Sequence, residues 1–597
     1  MKKFAAFILA GCMALSLCAC GSSGGEDAKS QSAASSAAEA SSAAESSSAA
    51  GEASEVSSAL PEVEAEGVVI NACIASEPET IDPNMFDTVD AANYSAHLFE
   101  CLLKREMGNE EIVPGSRLYA TEIVPGQAAS FEISEDLTVW TFHLRDDIFW
   151  SDGKPVTAYD FVYSWQRIVN PDNASDYGYI LNGIVLNAEA IQNGEMPYDA
   201  LGVAAPDDKT FVVTLQNPCA YFEEVAAFNQ LAPLREDVVE GNSTWTEPES
   251  MVCNGSYVMT EWVHDSYMKM EKNPYYYDYE NLGPDTIIWW LQDNSATILK
   301  NYQSGSYDYI DDYPTDMIAQ LVEEGESYIT PKMGTYFLYL NTVTINDWRV
   351  RAAMTLSIDR DNIVEKVTQG GQKPATGLVS EGITDSEEND FKEHYDLGAL
   401  YDGLAEAYPD YDLSTYAGRC ELAQDLYNEA VQDGAWDPNK TLQYNYNTSD
   451  ANKSIAEACA SDWKSVLGLD ITLSNQEWGT YMNDLEAGKF DIARMGWLPD
   501  FNDATSFSEL YVTGNSYNYG QWSNADYDAN VALAKSLLAG TERDNALYEA
   551  ESILFTPGGF PVSPLYYYTQ FQCMNKAVDK VGYNTMGMVY FMYATKD

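Results

Sequence analysis

The feature that most limits the possible folds is a segment of about 530 residues, 68–597, with the composition of a folded protein. One hydrophobic core rarely grows beyond roughly 250–300 residues, so this segment is expected to fold as two or more lobes. We find no internal repeat in it. No run within it is long and apolar enough to span a bilayer, which takes about 20 apolar residues.

Short strand-like runs alternate with helical runs along this segment. Residues 140–145 alternate apolar and polar side chains, which is typical of a half-buried strand. Thr157 and Asp160 have the spacing of a capping box, and the helix that follows is expected to end at Asn170 and Pro171. The alternation predicts an α/β architecture with mainly parallel sheets.

The N-terminus has the pattern of a bacterial export signal. Two lysines precede an apolar run over residues 4–17, which is too short to cross a membrane. The sequence around Cys20 resembles a lipobox, in which a cysteine becomes lipidated. Cys12 also matches that pattern but leaves too short an apolar core, so we prefer Cys20. We predict a lipoprotein signal peptide over residues 1–19, with cleavage without lipidation as the alternative.

The next segment, residues 20–67, consists mostly of Ser and Ala and has almost no large apolar side chains. Such a composition cannot bury enough surface to offset the entropy of ordering, so we predict a disordered tether. A flexible coil of about 45 residues spans roughly 35–40 Å. A tether of this length would hold a folded body away from a membrane surface.

The chain is strongly acidic, with 32 Lys and Arg against 93 Asp and Glu and a net charge of −61. This charge disfavours nucleic acid and anionic lipid as partners, so we expect membrane contact only through the lipid anchor. The cysteines beyond the signal are widely spaced and form no CxxC, which indicates neither a metal site nor a disulfide framework. We expect buried free thiols, leave any disulfide pairing open, and expect no cofactor.

A long block of sequence, residues 139–171, resembles the signature region of the oligopeptide-binding proteins of ABC importers. It reads VWTFHLRDDIFWSDGKPVTAYDFVYSWQRIVNP. That family is the large peptide and nickel class of solute-binding proteins. Other blocks resemble the family in the same order along the chain, namely residues 76–83, 254–262, 273–278, 347–367, 447–454, 475–478, 490–507 and 564–570. The resemblance covers nearly everything after the tether.

The resemblance implies a two-lobed fold of the periplasmic-binding-protein type, with a third domain and hinge closure over a central cleft. Lobe I is expected to combine residues 68–99, 236–332 and 570–597, with an accessory domain at 100–235 and lobe II at 333–569. The implied function is to capture oligopeptides in the cleft and deliver them to a permease and its ATPase subunits, which are separate proteins. We expect a monomer on the outer face of the cytoplasmic membrane.

A receptor for peptides of varied sequence must bind the groups that all peptides share, which are the backbone amides and the two charged termini. Asp500 matches the family's aspartate that holds the peptide ammonium group. The backbone of Gly496, Trp497 and Leu498 is expected to supply strand-like hydrogen bonds. Arg494 lies where the family uses an arginine toward the C-terminal carboxylate, although an internal Asp or Glu would be nearly as good a partner.

Four further residues, Val89, Tyr177, Trp478 and Tyr568, match family positions that line the cleft. Ordinary core packing is the alternative for each of them. Val89 and Tyr177 depend on the alignment alone.

The sequence departs from the best-known family pattern at the peptide carboxylate. Thr368, Asn452 and Leu485 stand where other family members carry further basic side chains, and Lys453 or Lys332 is a candidate substitute. We therefore expect a free peptide amine to matter more for affinity than a free carboxylate.

Other functions were weighed against peptide capture. The segment 68–597 contains no HExxH, no GxSxG and no GxxxxGK[ST], so we expect neither an enzyme nor an ATPase. The histidines, His97, His143, His264 and His394, are scattered singly and are expected to be structural or surface residues. The alternatives are another solute on the same scaffold (a dipeptide, a metal chelate or a sugar), a peptide sensor, and, from another class, a secreted hydrolase.

Overall fold

The computed structural model describes residues 60–597, apart from residues 62, 76, 87 and 176. The predicted signal peptide, the predicted lipidation site Cys20 and nearly all of the predicted tether lie outside the described residues. Of the helices in the described part of the chain, none combines the length and the apolar composition needed to cross a membrane.

The described chain is a mixture of strands and helices throughout. The strands are β1 (Val69–Ala75), β2 (Leu103–Glu111), β3 (Leu118–Pro125), β4 (Ala128–Ile133), β5 (Val139–Leu144), β6 (Val203–Asp207), β7 (Thr210–Thr214), β8 (Tyr257–Val263), β9 (Tyr267–Lys272), β10 (Thr286–Leu291), β11 (Tyr309–Ile310), β12 (Ser327–Leu340), β13 (Lys373–Pro374), β14 (Leu442–Asn447), β15 (Ile471–Gln476), β16 (Ile492–Trp497), β17 (Val562–Met574), β18 (Val578–Asp579), β19 (Val581–Tyr583), β20 (Val589–Tyr590) and β21 (Thr595–Lys596).

Helices separate most of these strands. They are α1 (Val89–Leu98), α2 (Ala158–Val169), α3 (Ala188–Gln192), α4 (Phe222–Ala226), α5 (Glu236–Val239), α6 (Ser295–Gln303), α7 (Ile318–Glu323), α8 (Trp348–Leu356), α9 (Arg360–Asn362), α10 (Ala399–Ala407), α11 (Tyr416–Gln432), α12 (Asp450–Leu467), α13 (Trp478–Glu486), α14 (Thr505–Ser508), α15 (Ala525–Lys535) and α16 (Thr541–Leu554). A π-helical turn at Ile363–Thr368 follows α9.

One large sheet has the strand order β15-β14-β16-β12-β17-β11-β1-β10-β9-β8, with β13 paired to β17. The two longest strands, β12 and β17, are antiparallel and lie in its middle. Their pairing shifts register between Pro331 and Thr335. These two strands carry the sheet from one part of the molecule to the other.

Two smaller four-stranded sheets have the orders β2-β3-β19-β20 and β4-β5-β7-β6. The expectation of mainly parallel sheets is wrong, because antiparallel pairings outnumber parallel ones in the described residues. The physical reason is the connections. Strand pairs such as β8 and β9 are joined by short turns, and a short turn can only join antiparallel strands.

Two large hydrophobic cores account for the two-lobed form of this α/β fold. One consists of buried residues between Met333 and Tyr566. The other combines residues from the first part of the described chain with residues from its C-terminal end, from Ile70 to Ala594. The domain boundaries proposed above stay a prediction.

The sequence block around residues 76–83 is tied to the signature block by a buried ion pair. Arg167 donates from both terminal nitrogens to Asp82, at 3.0 and 2.7 Å, and Trp245 Nε1 donates to the same carboxylate at 3.2 Å. The predicted capping box is also present at the start of α2, where the Thr157 N–H donates to Asp160 at 2.8 Å. These motif residues therefore have structural roles.

The buried His97 is likewise a structural residue. Its Nδ1 donates to the Asn93 carbonyl at 2.8 Å, and its Nε2 accepts from the Phe591 N–H at 3.0 Å, so α1 is tied to the C-terminal segment. Burial lowers the pKa of His97 to about 4, which keeps the ring neutral. The cysteines in the described part of the chain are free thiols, buried except for the half-buried Cys420.

Candidate functional site

The site is built around β16 and the loop that follows it. On one side β16 pairs with β12 along its whole length, up to the pair of Thr335 and Trp497. On the other side β14 pairs with β16 only at Ile492 and Ala493. Within the described residues, positions 494–497 therefore have a strand partner on one side only. The Arg494 carbonyl accepts from the Tyr481 hydroxyl, so the open edge consists of residues 495–497.

Two glycines allow close packing at this strand end. A Cβ on Gly496 would lie 2.2 Å from the Tyr568 hydroxyl oxygen. A Cβ on Gly334, which has a φ of +147°, would lie 2.4 Å from a methyl group of Leu498 and 2.9 Å from the Trp497 carbonyl oxygen. Any larger residue at either position would push Tyr568 or the loop after β16 out of place.

Asp500 lies in this loop and is half-buried. The Tyr179 hydroxyl donates to its Oδ2 at 3.4 Å. Among the described residues, no Lys, Arg or His nitrogen lies within 4.0 Å of the carboxylate. Burial raises the pKa of Asp500 to about 6, and the hydrogen bond from Tyr179 opposes that rise. The site thus contains a desolvated carboxylate without a cationic partner.

Two cavities meet at Asp500. The first, which we call the apolar cavity, has a volume of about 190 Å³ and is lined by Val89, Tyr177, Leu498 and Asp500 among others. The second cavity has a volume of about 170 Å³ and includes Trp497 and Asp500 in its lining.

A pair of stacked rings separates the two cavities. Tyr177 lines the apolar cavity and Tyr179 lines the second cavity, and their ring centroids lie 5.6 Å apart at an interplanar angle of 25°. Phe501, next to Asp500, stacks on Tyr221 at 5.0 Å and belongs to the core formed by the first part of the chain. The loop after β16 therefore packs directly against the other lobe.

Arg494 lies on β16, and its guanidinium group is next to an aromatic ring. Its Nε donates to Asn447 Oδ1 at 2.7 Å, and its guanidinium lies 5.4 Å from the centre of the Tyr336 ring. The carboxylates of the described residues all lie beyond the 4.0 Å ion-pair distance from it. The internal acidic partner that was the alternative for this arginine is therefore not present among these residues.

Trp478 and Tyr568 do not line either of the two cavities. The Trp478 side chain is 51% exposed at the start of α13 and stacks on Tyr481 at 6.0 Å. Tyr568 packs against Tyr566 and over Gly496. Burial raises the pKa of Tyr568 to about 12, and the positive charge of Arg494 opposes the rise.

The residues that stand in place of the family's other basic side chains make contacts within the protein. Thr368 donates to Gln372 at 2.9 Å, and Asn452 accepts from the Tyr336 hydroxyl at 3.1 Å, while Leu485 is buried in the core between Met333 and Tyr566. The substitutes differ from each other. Lys453 is exposed and lies 3.9 Å from Glu457, whereas Lys332 donates to Gln570 at 3.1 Å.

Several lining residues were missed by the sequence reasoning. Tyr179 is one; its only signal is its position two residues after Tyr177, in a short 3-10 helix at Gly178–Leu181. Met586 and Met588 are two more, and they enter the apolar cavity from the C-terminal segment. Nothing in the local sequence of that segment indicates a contact with Val89.

The described residues contain no group of three or more His, Cys, Asp and Glu that could hold a metal ion. The comparison with known families then decides what kind of protein carries this site. Residues 122–540 match the model of the bacterial extracellular solute-binding proteins, family 5, middle region. The chain belongs to this family.

Relatives within family 5 resemble the chain over most of their length. It is 34% identical over 503 residues to the periplasmic oligopeptide-binding protein OppA of Salmonella typhimurium, covering 83% of this chain and 86% of the relative. It is 32% identical over 537 residues to the oligopeptide-binding protein OppA of Bacillus subtilis, covering 88% and 92%. Among solved structures, Haemophilus influenzae OppA in complex with the peptide RPPGFSPFR matches with a TM-score of 0.69, 30% identity and coverages of 89% and 99%.

Proposed function

We propose that this protein captures oligopeptides in the cleft at Asp500 and delivers them to an ABC importer whose permease and ATPase subunits are separate proteins. The observation that carries the proposal is the Asp500 carboxylate, which is desolvated, lies beside two cavities and has no cationic partner within 4.0 Å among the described residues. A peptide ammonium group supplies the missing positive charge.

The open edge of β16 suits a peptide backbone. Residues 494–497 pair with β12 on one side only in the described part of the chain, and the Arg494 carbonyl accepts from the Tyr481 hydroxyl, so residues 495–497 offer the edge to which an extended peptide can add as a strand. Leu498, which follows the strand, is 45% exposed and lines the apolar cavity. This arrangement binds what all peptides share and supports a ligand of varied sequence.

Arg494 is the proposed partner of the peptide carboxylate. Within the described residues its side chain donates a hydrogen bond from Nε to Asn447, so the terminal guanidinium nitrogens remain to bind an anion. It lies six residues before Asp500, and six residues span at most about 20 Å. Both termini of a short peptide can therefore be reached from one strand and its following loop.

The cellular setting follows from the N-terminal sequence and from the relatives. Lipidation at Cys20 would anchor the protein to the outer face of the cytoplasmic membrane, with residues 20–67 as the tether. Relatives named as periplasmic oligopeptide-binding proteins support a location outside the cytoplasm and a binding role rather than a catalytic one. We propose a monomer that needs no cofactor and binds no nucleic acid.

Calorimetry with matched peptides tests the proposal. Tri- to nonapeptides are compared as free peptides and as N-acetylated peptides of the same sequence. Free peptides are expected to bind, and acetylation is expected to weaken binding by about a hundredfold because Asp500 then faces a neutral group. Equal binding of both forms, or no binding of any peptide in the set, would overturn the proposal.

A further inference from the structure

We infer that the apolar cavity is a specificity pocket, which selects a large apolar or aromatic side chain on one of the first three residues of the bound peptide. The inference rests on the proposed function and deepens it. Because Asp500 itself lines the cavity, the side chain that fills it belongs to a residue close to the ammonium group. Each residue of an extended peptide advances at most about 3.3–3.6 Å, so three residues remain within reach.

The walls of this cavity are largely apolar and deformable. Its lining includes Met333, Met586 and Met588, and Val89 and Phe228 contribute further apolar surface. Methionine side chains are unbranched and polarizable, so they adapt to side chains of different shapes and make favourable contacts with aromatic rings. The cavity can therefore accept Phe, Leu, Met or Tyr side chains rather than only one of them.

Several polar groups in the lining are engaged with other parts of the protein. Arg105 and Glu224, at one end of the cavity, form an ion pair and neutralise each other. The Asn229 amide donates to the Ala92 carbonyl at 3.0 Å, and the Thr88 hydroxyl accepts from the Ala91 N–H at 3.3 Å to cap α1.

Of the charged residues in this lining, Asp500 has no ionic partner among the described residues. In the complex, the ammonium group of the peptide pairs with it. A charged peptide side chain in the cavity would lose its hydration without gaining a counter-ion. The cavity therefore discriminates against Glu and Lys as well as against small polar residues.

A volume of about 190 Å³ leaves an unfilled space when the peptide carries a small side chain. Burying a Phe or Leu side chain there is worth roughly tenfold to a hundredfold in affinity over Ser. The second cavity, on the other side of Tyr177 and Tyr179, also has apolar residues such as Leu510 in its lining, but of the two cavities Met586 lines the apolar one.

The experiment is a calorimetric series on the full-length protein without its signal. Tetrapeptides of alanine carry Phe, Ser, Glu or Lys at position 1, 2 or 3, all with a free N-terminus. At one of these positions, Phe is expected to bind at least tenfold more tightly than Ser, with Glu and Lys no better than Ser. Affinities that vary less than threefold at all three positions, or a charged residue as the preferred one, would contradict the inference.

A variant locates the selection in this cavity. Met586→Glu places a carboxylate at a half-buried lining position and is expected to turn the preference at the selective position from Phe to Lys. Met196→Glu, at a 37% exposed position outside the cavity, is the control and should keep the preference for Phe. An unchanged preference in folded Met586→Glu would overturn the inference. If this variant does not fold, Met586→Gln replaces it, and it should weaken the binding of the Phe peptide without favouring the Lys peptide.

The two proposals fail in different ways. If no peptide in the series binds, the proposed function fails. If peptides bind and acetylation abolishes the binding, while the side chain makes no difference, the proposed function stands and the specificity pocket is wrong.

Discussion

The Tyr179 hydroxyl donates to the Asp500 carboxylate at 3.4 Å, and this contact joins the segment between α2 and α3 to the loop after β16. The two segments belong to different parts of the chain, more than 300 residues apart. Asp500 therefore lies where the lobes meet, and its protonation state depends on the groups that lie between them.

Asp500→Asn is expected to weaken peptide binding by about a hundredfold or more, because the ammonium group then loses its only anionic partner in a desolvated site. The ligand-free variant should be no less stable than the wild type at pH 7.5, since burial already disfavours the charged carboxylate. Calorimetry and thermal unfolding measure the two effects. Asp410→Asn, at an exposed position of lobe II, is the matched control. Unchanged affinity in folded Asp500→Asn would refute the assignment.

Peptide affinity should depend on pH with a midpoint near 6 on the acid side. The pKa of Asp500 is raised to about 6 by burial, so below that pH the free carboxyl carries a proton that the ammonium group must displace. Affinity should fall by up to tenfold per pH unit below 6, and should fall again above pH ~8 as the peptide amine loses its proton.

The same linkage predicts that binding at pH 6 releases about half a proton per peptide, because about half of the free Asp500 carboxyls are protonated at that pH. Calorimetry in two buffers of different ionisation enthalpy measures this release. A flat affinity between pH 5 and 7 would show that another group binds the amine.

Tyr179→Phe should move the acid midpoint upward. The hydroxyl hydrogen bond stabilises the ionised form of Asp500 and so lowers its pKa, and removing it leaves burial unopposed. The midpoint of the affinity profile is the readout, and Tyr159→Phe, at a 52% exposed position, is the control. A midpoint that stays in place would mean that the contact has no influence on the charge of Asp500.

Arg494→Gln should abolish the discrimination between peptides with a free C-terminus and peptides with a C-terminal amide. In the wild type, amidation is expected to cost about tenfold, which is less than the cost of acetylation, because one arginine is the proposed partner of the carboxylate. Arg349→Gln removes a lobe II arginine that pairs with Asp347 and Asp433, and it should leave the discrimination intact. If Arg494→Gln keeps the discrimination, Lys332 is the next candidate.

The carboxyl group of Glu551 is expected to make the stability of the protein, rather than peptide binding, depend on pH. It is buried, accepts from the Leu378 and Val379 N–H groups at 2.6 and 2.9 Å, and burial raises its pKa to about 7. Because the folded state binds this proton more tightly than the unfolded state, its stabilising effect is complete below pH ~4.5 and is lost as the pH rises through 7.

Glu551→Gln keeps the accepting oxygen and removes the titration. The variant should be the more stable protein above pH 7, by up to about 3 kcal/mol, with the difference vanishing near pH 4.5. Thermal unfolding across this range measures the difference. Curves that run parallel for both proteins would show that Glu551 is not the titrating group.

The sequence was sufficient for features that depend on local pattern or on a long family block. The capping box of α2 is an example, and so is the loop that carries Asp500. It also brought Val89, Tyr177, Leu498 and Asp500 into one hypothesis, and the structure places all four around one cavity. Their role in binding stays a prediction.

Features that depend on tertiary contacts could not be predicted. Met586 and Met588 reach the cavity only because the C-terminal segment folds back beside α1, and no spacing in the sequence encodes that approach. Trp478 matches a family position that lines the cleft, but in the described structure it is exposed and lines neither cavity. The sheet direction was also predicted wrongly, because strand periodicity does not distinguish a hairpin from a crossover.

A crystal structure of the protein with a bound peptide tests the central claim most directly. We expect the peptide nitrogen within about 3.2 Å of an Asp500 oxygen, with the first residues of the peptide paired to the open edge of β16. An Asp500 side chain that points into bulk solvent, or a ligand without an amine beside it, would contradict the account.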